Sequence, residues 1–198
     1  MRNVRQHTET MPDSTYDKGL LRRRLLADRQ AVAAEVRRRW DEAICARILA
    51  WWNVNPVPTI GVYWPIRDEP DIRATYDELS ARGVQLALPM VVARDAPLRF
   101  AAWSPGDPLV AAAFGVPVPE NTVEVRPEAI LLPCVGFNAD KLRLGYGGGF
   151  YDRTLAAAPC PLAIGIAYCC GMAAFPGEAH DIALDEVITE RSPAEFAR

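Results

Sequence analysis

Residues 141–153 read K-L-R-L-G-Y-G-G-G-F-Y-D-R, and no other stretch restricts the chain as much. Gly145, Gly147, Gly148 and Gly149 stand between a basic residue, Arg143, and an acid–base pair, Asp152 and Arg153. An apolar run of strand character, residues 129–135, precedes the block, and residues 154–158 favour helix. A glycine-rich turn between strand and helix brings bare backbone N–H groups close to an anion. The helix N-terminus adds a partial positive charge at the same place. Phosphate is the ligand that suits this arrangement. Spacing excludes two familiar phosphate motifs. A P-loop needs Gly-Lys-Ser/Thr, but Phe150 and Tyr151 follow Gly149; the G-x-G-x-x-G pattern from Gly145 needs glycine where Phe150 stands. A glycine turn without a ligand is the alternative, against which Asp and Arg close behind the glycines favour metal and phosphate.

The rest of the chain supplies elements around that turn. Residues 16–52 are helical by period, with Leu21, Leu25, Val32, Val36, Trp40, Ile44 and Ile48 mostly four or seven apart. A break is expected at residues 28–30. Lys18 and Arg22 stand four apart and share one helix face. Residues 59–64 (T-I-G-V-Y-W) read as a short buried strand, ended by Pro65. The loop that follows carries Glu69, at the carboxyl end of a strand, where α/β sheets bind ligands. Residues 71–82 read as a helix closed by Gly83. Residues 84–92, interrupted by Pro89, and residues 98–103 read as further strands. Residues 104–121 hold Pro105, Pro108, Pro117 and Pro119 and read as a loop with little regular structure. Core strands are expected again at residues 162–168 and 185–189. Alternating strands and helices predict an α/β fold: a single three-layer domain over residues 16–198, a mainly parallel central sheet flanked by helices, and an N-terminal helical segment. Residues 1–15 read as a disordered extension.

Composition excludes several classes of function. The chain has 198 residues, enough for one domain with a substantial core. No apolar run approaches the roughly 20 residues of a membrane-spanning helix, and residues 1–15 lack the apolar core of a secretion signal. The expected location is the cytoplasm. Five cysteines, an odd count with no C-x-x-C, argue against a disulfide framework and against zinc. Net charge is −3, with a balance of +4 in the first fifty residues. That gradient is too mild for a nucleic-acid footprint, but it lets an N-terminal helix bring positive charge to an anion held elsewhere. A glycine loop, a Lys/Arg helix face and two loop acids, Asp152 and Asp181, together suggest Mg²⁺–ATP, since magnesium takes one or two carboxylates with phosphate oxygens and water. No Ser-His-Asp or Cys-His arrangement is available, with His7 in the extension and His180 the only other histidine.

The block R-L-G-Y-G-G-G-F-Y-D-R, with P-C-V-G-F-N upstream and H-D-I-A-L-D-E-V-I-T-E downstream, resembles the 5-formyltetrahydrofolate cyclo-ligase family over residues 16–190. The resemblance implies an ATP-dependent cyclisation of 5-formyltetrahydrofolate to 5,10-methenyltetrahydrofolate, through phosphorylation of the formyl oxygen, by a monomer that binds neither nucleic acid nor membrane. It assigns Lys18, Arg22, Arg143, Leu144, Gly145, Tyr146, Gly147, Gly148, Gly149, Phe150, Tyr151 and Asp152 to ATP. It assigns Trp64, Glu69, Trp103 and Tyr151 to the folate, Asp152 and Asp181 to Mg²⁺, and catalytic roles to Arg143 and Tyr151. The chain departs from the family pattern in three places. Pro70 and Ile72 alter the common E-V-D-T, Val118 stands where an acid is common, and a frequent Gln is absent from residues 169–174. Two rivals follow: a divergent relative acting on another formyl or carboxyl substrate, and a non-enzymatic nucleotide-binding module. The second would need the glycine block but not Trp64, Glu69 and Trp103. A nucleic-acid binder using Arg22–Arg24 and Arg37–Arg39 lacks interleaved aromatics.

Overall fold

The structure, a computed structural model, describes residues 17–112 and 115–192. The readings made for residues 1–15, for residue 16 as the start of the first helix and for residues 113–114 of the proline-rich loop lie outside the described residues. Helix α1 (Lys18–Ala31) starts at Asp17, whose side chain accepts a hydrogen bond from the Leu20 amide at 2.9 Å. The break expected at residues 28–30 falls later. Val32 is extended and α2 (Ala34–Val54) begins after it, because Arg29 is anchored by buried partners and keeps the last turn of α1 intact.

The main sheet has seven strands in the order β11-β10-β7-β1-β2-β3-β6. They are β1 (Thr59–Gly61), β2 (Gln85–Met90), β3 (Arg99–Trp103), β6 (Glu124–Val125), β7 (Ala129–Pro133), β10 (Leu162–Ile166) and β11 (Glu186–Ile188). The pairs β1–β2, β1–β7, β7–β10 and β10–β11 are parallel; β3 is antiparallel to both β2 and β6. Helix α3 (Ala74–Ala81) is shorter than its sequence suggests and ends before Gly83, whose φ is +84°. Strand β2 runs straight through Pro89. Its pairing with β1 stops at Ala87, so the missing N–H of Pro89 leaves no ladder bond unmade on that side. The segment read as irregular holds an antiparallel ribbon, β4 (Leu109–Ala111) with β5 (Pro117–Pro119). Pro117 and Pro119 alternate with Val118, so both missing N–H groups fall on one edge, which a two-stranded ribbon tolerates.

Period-two alternation builds the layers. Ala129 and Leu131 of β7 join Ile60, Leu86, Leu88, Ile164 and Ile166 in a core shared with α2 and α3. Ile130 and Leu132 point the other way, into a core with Phe100, Ala163 and Leu155 of α4 (Phe150–Leu155). A third cluster packs Leu21 and Leu25 of α1 against Val135, Leu144 and Phe175. This fastens α1 onto the hairpin of β8 (Gly136–Phe137) and β9 (Arg143–Leu144). Gly136 permits the contact: a Cβ there would lie 2.5 Å from Leu25 Cδ1.

Candidate functional site

From β1 the chain builds β2 on one side, and β7, β10 and β11 lie on the other, so the order of the parallel strands reverses between β1 and β7. Ligands bind outside the carboxyl ends of strands at such a switch point. A cavity of about 770 Å³ opens there. Tyr63 and Trp64, beyond the end of β1, line it with Pro133 at the end of β7 and Pro89 and Met90 at the end of β2.

One wall is cationic and glycine-rich. Lys18, Arg22 and Arg29 fall within about 40° of one another around α1, at 3.6 residues per turn. Each reaches a different segment. The Lys18 ammonium pairs with Asp181 at 2.8 Å and Glu178 at 3.0 Å. Arg22 Nε donates to the Gly145 carbonyl at 2.7 Å. Arg29 Nη2 donates to the Tyr146 hydroxyl at 2.7 Å. The glycine block follows β9 and leads directly into α4, which starts at Phe150, earlier than its sequence suggests. Gly149 adopts φ +65°, a left-handed conformation that glycine takes without strain. A Cβ there would also lie 2.7 Å from Arg153 Nη1. Arg153 braces the loop by donating to the Gly148 carbonyl at 2.7 Å and to the Arg94 carbonyl at 3.2 Å. Arg143 lies across the loop with its guanidinium 5.2 Å from the Tyr151 ring centre and 3.1 Å from Asp152 Oδ2. Its Nε is buried and without a partner among the described residues.

Much of the remaining lining is apolar. Trp64, Ile66, Met90, Val91, Val92, Leu98, Val116 and Val118 belong to it. Beside these side chains lies the carboxylate of Glu69, which is 5% exposed. Glu69 Oε1 accepts from the Tyr146 hydroxyl at 2.7 Å, and Oε2 accepts from the Ile66 amide at 2.9 Å. Burial pushes its pKa up, and these two donors together with Arg29 and Arg67 only partly offset that. The loop that presents it carries Arg67 and Asp68 at φ +50° and +57°, an uncommon conformation for residues other than glycine. Burial and the neighbouring Glu69 charge also raise the pKa of Tyr146, so its hydroxyl stays protonated as a donor.

Two acids at the mouth test the case for a metal. Burial works against the charge on Asp181, but Lys18 and the Glu178 amide outweigh it and hold its carboxyl below the ordinary value. Burial likewise opposes the charge on Lys18, yet its two carboxylate partners raise its pKa overall. Glu178, His180 and Asp181 bring ligand atoms within 4.8 Å of one another, while Asp152 stands outside that cluster and is paired with Arg143. Asp152 and Asp181 are partly exposed oxygen donors on one cavity that also carries the glycine loop. Carboxylate oxygens of this kind, with phosphate oxygens and water, have the chemistry that magnesium takes in its shell.

Fifteen of the sixteen residues singled out from the sequence line this cavity. Trp103 does not. It is buried behind Trp64, edge-on to that ring at 6.1 Å and to Tyr76 at 5.8 Å, and its Nε1 donates to the Asp107 carbonyl. It supports the Trp64 ring instead of forming a wall. The sequence reading missed Arg29, Arg67 and Glu178. Arg29 stood in the expected helix break, and only its register with Lys18 and Arg22 could have drawn notice to it.

Comparison with known proteins finds relatives over most of the chain. The family model for the 5-formyltetrahydrofolate cyclo-ligase family matches residues 14–190. A 5-formyltetrahydrofolate cyclo-ligase of Mycolicibacterium smegmatis is 34% identical over 192 residues, covering 90% of this chain and 96% of the relative. One from Mycoplasma pneumoniae is 29% identical over 178 residues, covering 88% and 99%. A solved 5,10-methenyltetrahydrofolate synthetase from Mycoplasma pneumoniae superposes with a TM-score of 0.75 at 27% identity, covering 88% of this chain and 99% of its own. A second, from Aquifex aeolicus, gives a TM-score of 0.77 at 29% identity, covering 88% and 90%.

Proposed function

The chain belongs to the 5-formyltetrahydrofolate cyclo-ligase family, and on that premise we propose that it converts 5-formyltetrahydrofolate and ATP to 5,10-methenyltetrahydrofolate, ADP and phosphate in this cavity. The observation that carries the reading is one cavity lined both by a cationic glycine-rich segment and by apolar side chains beside the buried carboxylate of Glu69. The first suits a triphosphate and the second a planar pterin.

Lys18, Arg22 and the backbone of Gly145, Tyr146, Gly147, Gly148 and Gly149 hold the phosphates. Leu144 and Phe150 bound the same pocket. Trp64 and Tyr151 flank the pterin and Glu69 orients it, with Trp103 fixing Trp64 from behind. The formyl oxygen attacks the γ-phosphorus, and the bond to the departing ADP oxygen breaks. Arg143 neutralises charge on the phosphoryl group as it moves, an electrostatic task that phosphoryl transfer demands more than covalent catalysis. The N-10 lone pair then attacks the formyl carbon and its proton passes to solvent. The carbon–oxygen bond breaks, phosphate leaves with the electron pair, and the methenyl bridge is closed. Asp152 and Asp181 are the residues that would hold Mg²⁺, which when bound supplies further neutralisation of phosphate charge. Orientation carries most of this scheme, consistent with a site in which His180 is exposed at the rim. We further read residues 16–198 as one domain, acting as a monomer in the cytoplasm; the main sheet runs from β1 to β11, and among the described residues no helix is long and apolar enough to cross a membrane.

The test is the stoichiometry of ADP and phosphate release on adding 5-formyltetrahydrofolate to protein and Mg-ATP. One phosphate per folate consumed, at a rate that falls at least tenfold in Asp152→Ala, supports the reading. ATP cleavage indifferent to the folate would remove it.

A further inference from the structure

Tyr146 belongs by position to the glycine loop, yet its hydroxyl is engaged with Arg29 and Glu69. Its hydroxyl accepts from Arg29 at 2.7 Å and donates to Glu69 Oε1 at 2.7 Å, and the Arg67 guanidinium lies 5.1 Å from its ring centre. The loop therefore touches the substrate acid through one side chain held on three sides. Arg29 is itself fixed: it is 4% exposed, emerges from α1, and its Nη1 donates to the Cys134 carbonyl at 3.4 Å. The same helix face grips the neighbouring Gly145 carbonyl through Arg22. On the far side, the Ile66 amide holds the second oxygen of Glu69.

Resting on the reading above, we propose that Tyr146, anchored by Arg29, is a positioning residue that couples nucleotide binding at the glycine loop to formyl-folate binding at Glu69. Phosphate on the loop amides fixes the backbone at Gly145 and Gly147, and hence the Tyr146 ring between them. A fixed Tyr146 hydroxyl holds the Glu69 carboxylate toward the cavity with one oxygen already satisfied. The folate then meets a carboxylate that does not have to be ordered on binding. The effect is reciprocal by linkage, so bound folate tightens nucleotide to the same degree.

Titration calorimetry of 5-formyltetrahydrofolate into protein, with and without the non-hydrolysable analogue AMP-PNP and Mg²⁺, reads the coupling directly. Wild type is expected to bind the folate at least about fivefold tighter with the analogue present, the low end of usual couplings. Tyr146→Phe keeps the ring under Arg67 and removes only the hydroxyl; in it the ratio of folate affinities with and without the analogue falls to about one. Arg29→Lys, which retains a cation on α1, is expected to keep part of the enhancement, whereas Arg29→Met loses it. Undiminished enhancement in Tyr146→Phe, or no enhancement in wild type, would overturn the proposal while the proposed function stands. Failure of wild type to bind the folate at all would remove both.

Discussion

Glu69 keeps a carboxylate where its surroundings work against the charge, because burial outweighs its hydrogen bonds to Ile66 and Tyr146. A group whose pKa is raised on folding contributes stability below its unfolded pKa, and that contribution is lost as pH rises through the folded value. Replacing it with an uncharged isostere removes the pH dependence. Glu69→Gln is therefore expected to gain in melting temperature relative to wild type between pH 5 and pH 8 while its turnover falls. Thermal melts at the two pH values check this, and a constant difference would contradict it. Glu69 itself was legible in the sequence as an acid just past a strand. Arg29 was not, since its role depends on Tyr146, 117 positions away, and on a helix register that local propensity leaves open. That Trp103 stands behind Trp64 and not on the cavity was not legible either: a tryptophan beside a pocket and one behind its wall have the same sequence context.

At the scale of elements, α1 carries the site. Its apolar face, Leu21 and Leu25, seats it on the β8–β9 hairpin, and its basic face reaches Asp181, Gly145 and Tyr146. Leu25 is almost fully buried, so Leu25→Ala is expected to cost about 2–4 kcal/mol, within the usual range for a truncated core leucine. Denaturant unfolding measures this, and ATP affinity should fall with it because Lys18 and Arg22 shift with the helix. A loss of stability with unchanged ATP affinity would show that α1 does not position the cations. The period of α1 and the run of core strands were plain in the sequence. Strands β4, β5 and β6, each of two or three residues, were not, because so short a segment has too few residues to show alternation. Pro89 likewise read as an interruption, since a proline at the free end of a ladder looks in sequence like one in its middle.

At the scale of the molecule, the cavity lies where the parallel strand order reverses, so segments far apart in the chain meet there. The fold class followed from alternating strands and helices, but the order β11-β10-β7-β1-β2-β3-β6 did not, because pairing is decided by crossovers and not by any one strand. That order sets Glu69, from the loop after β1, against Tyr146, from the loop after β9. Ring closure in this cavity is the step on which the proposed reaction depends. The direct measurement is absorbance in the methenyl-folate band on mixing protein, 5-formyltetrahydrofolate and Mg-ATP. The account predicts growth of the band that needs all three and is lost in Asp152→Ala. A flat trace from protein shown to bind both substrates would contradict it.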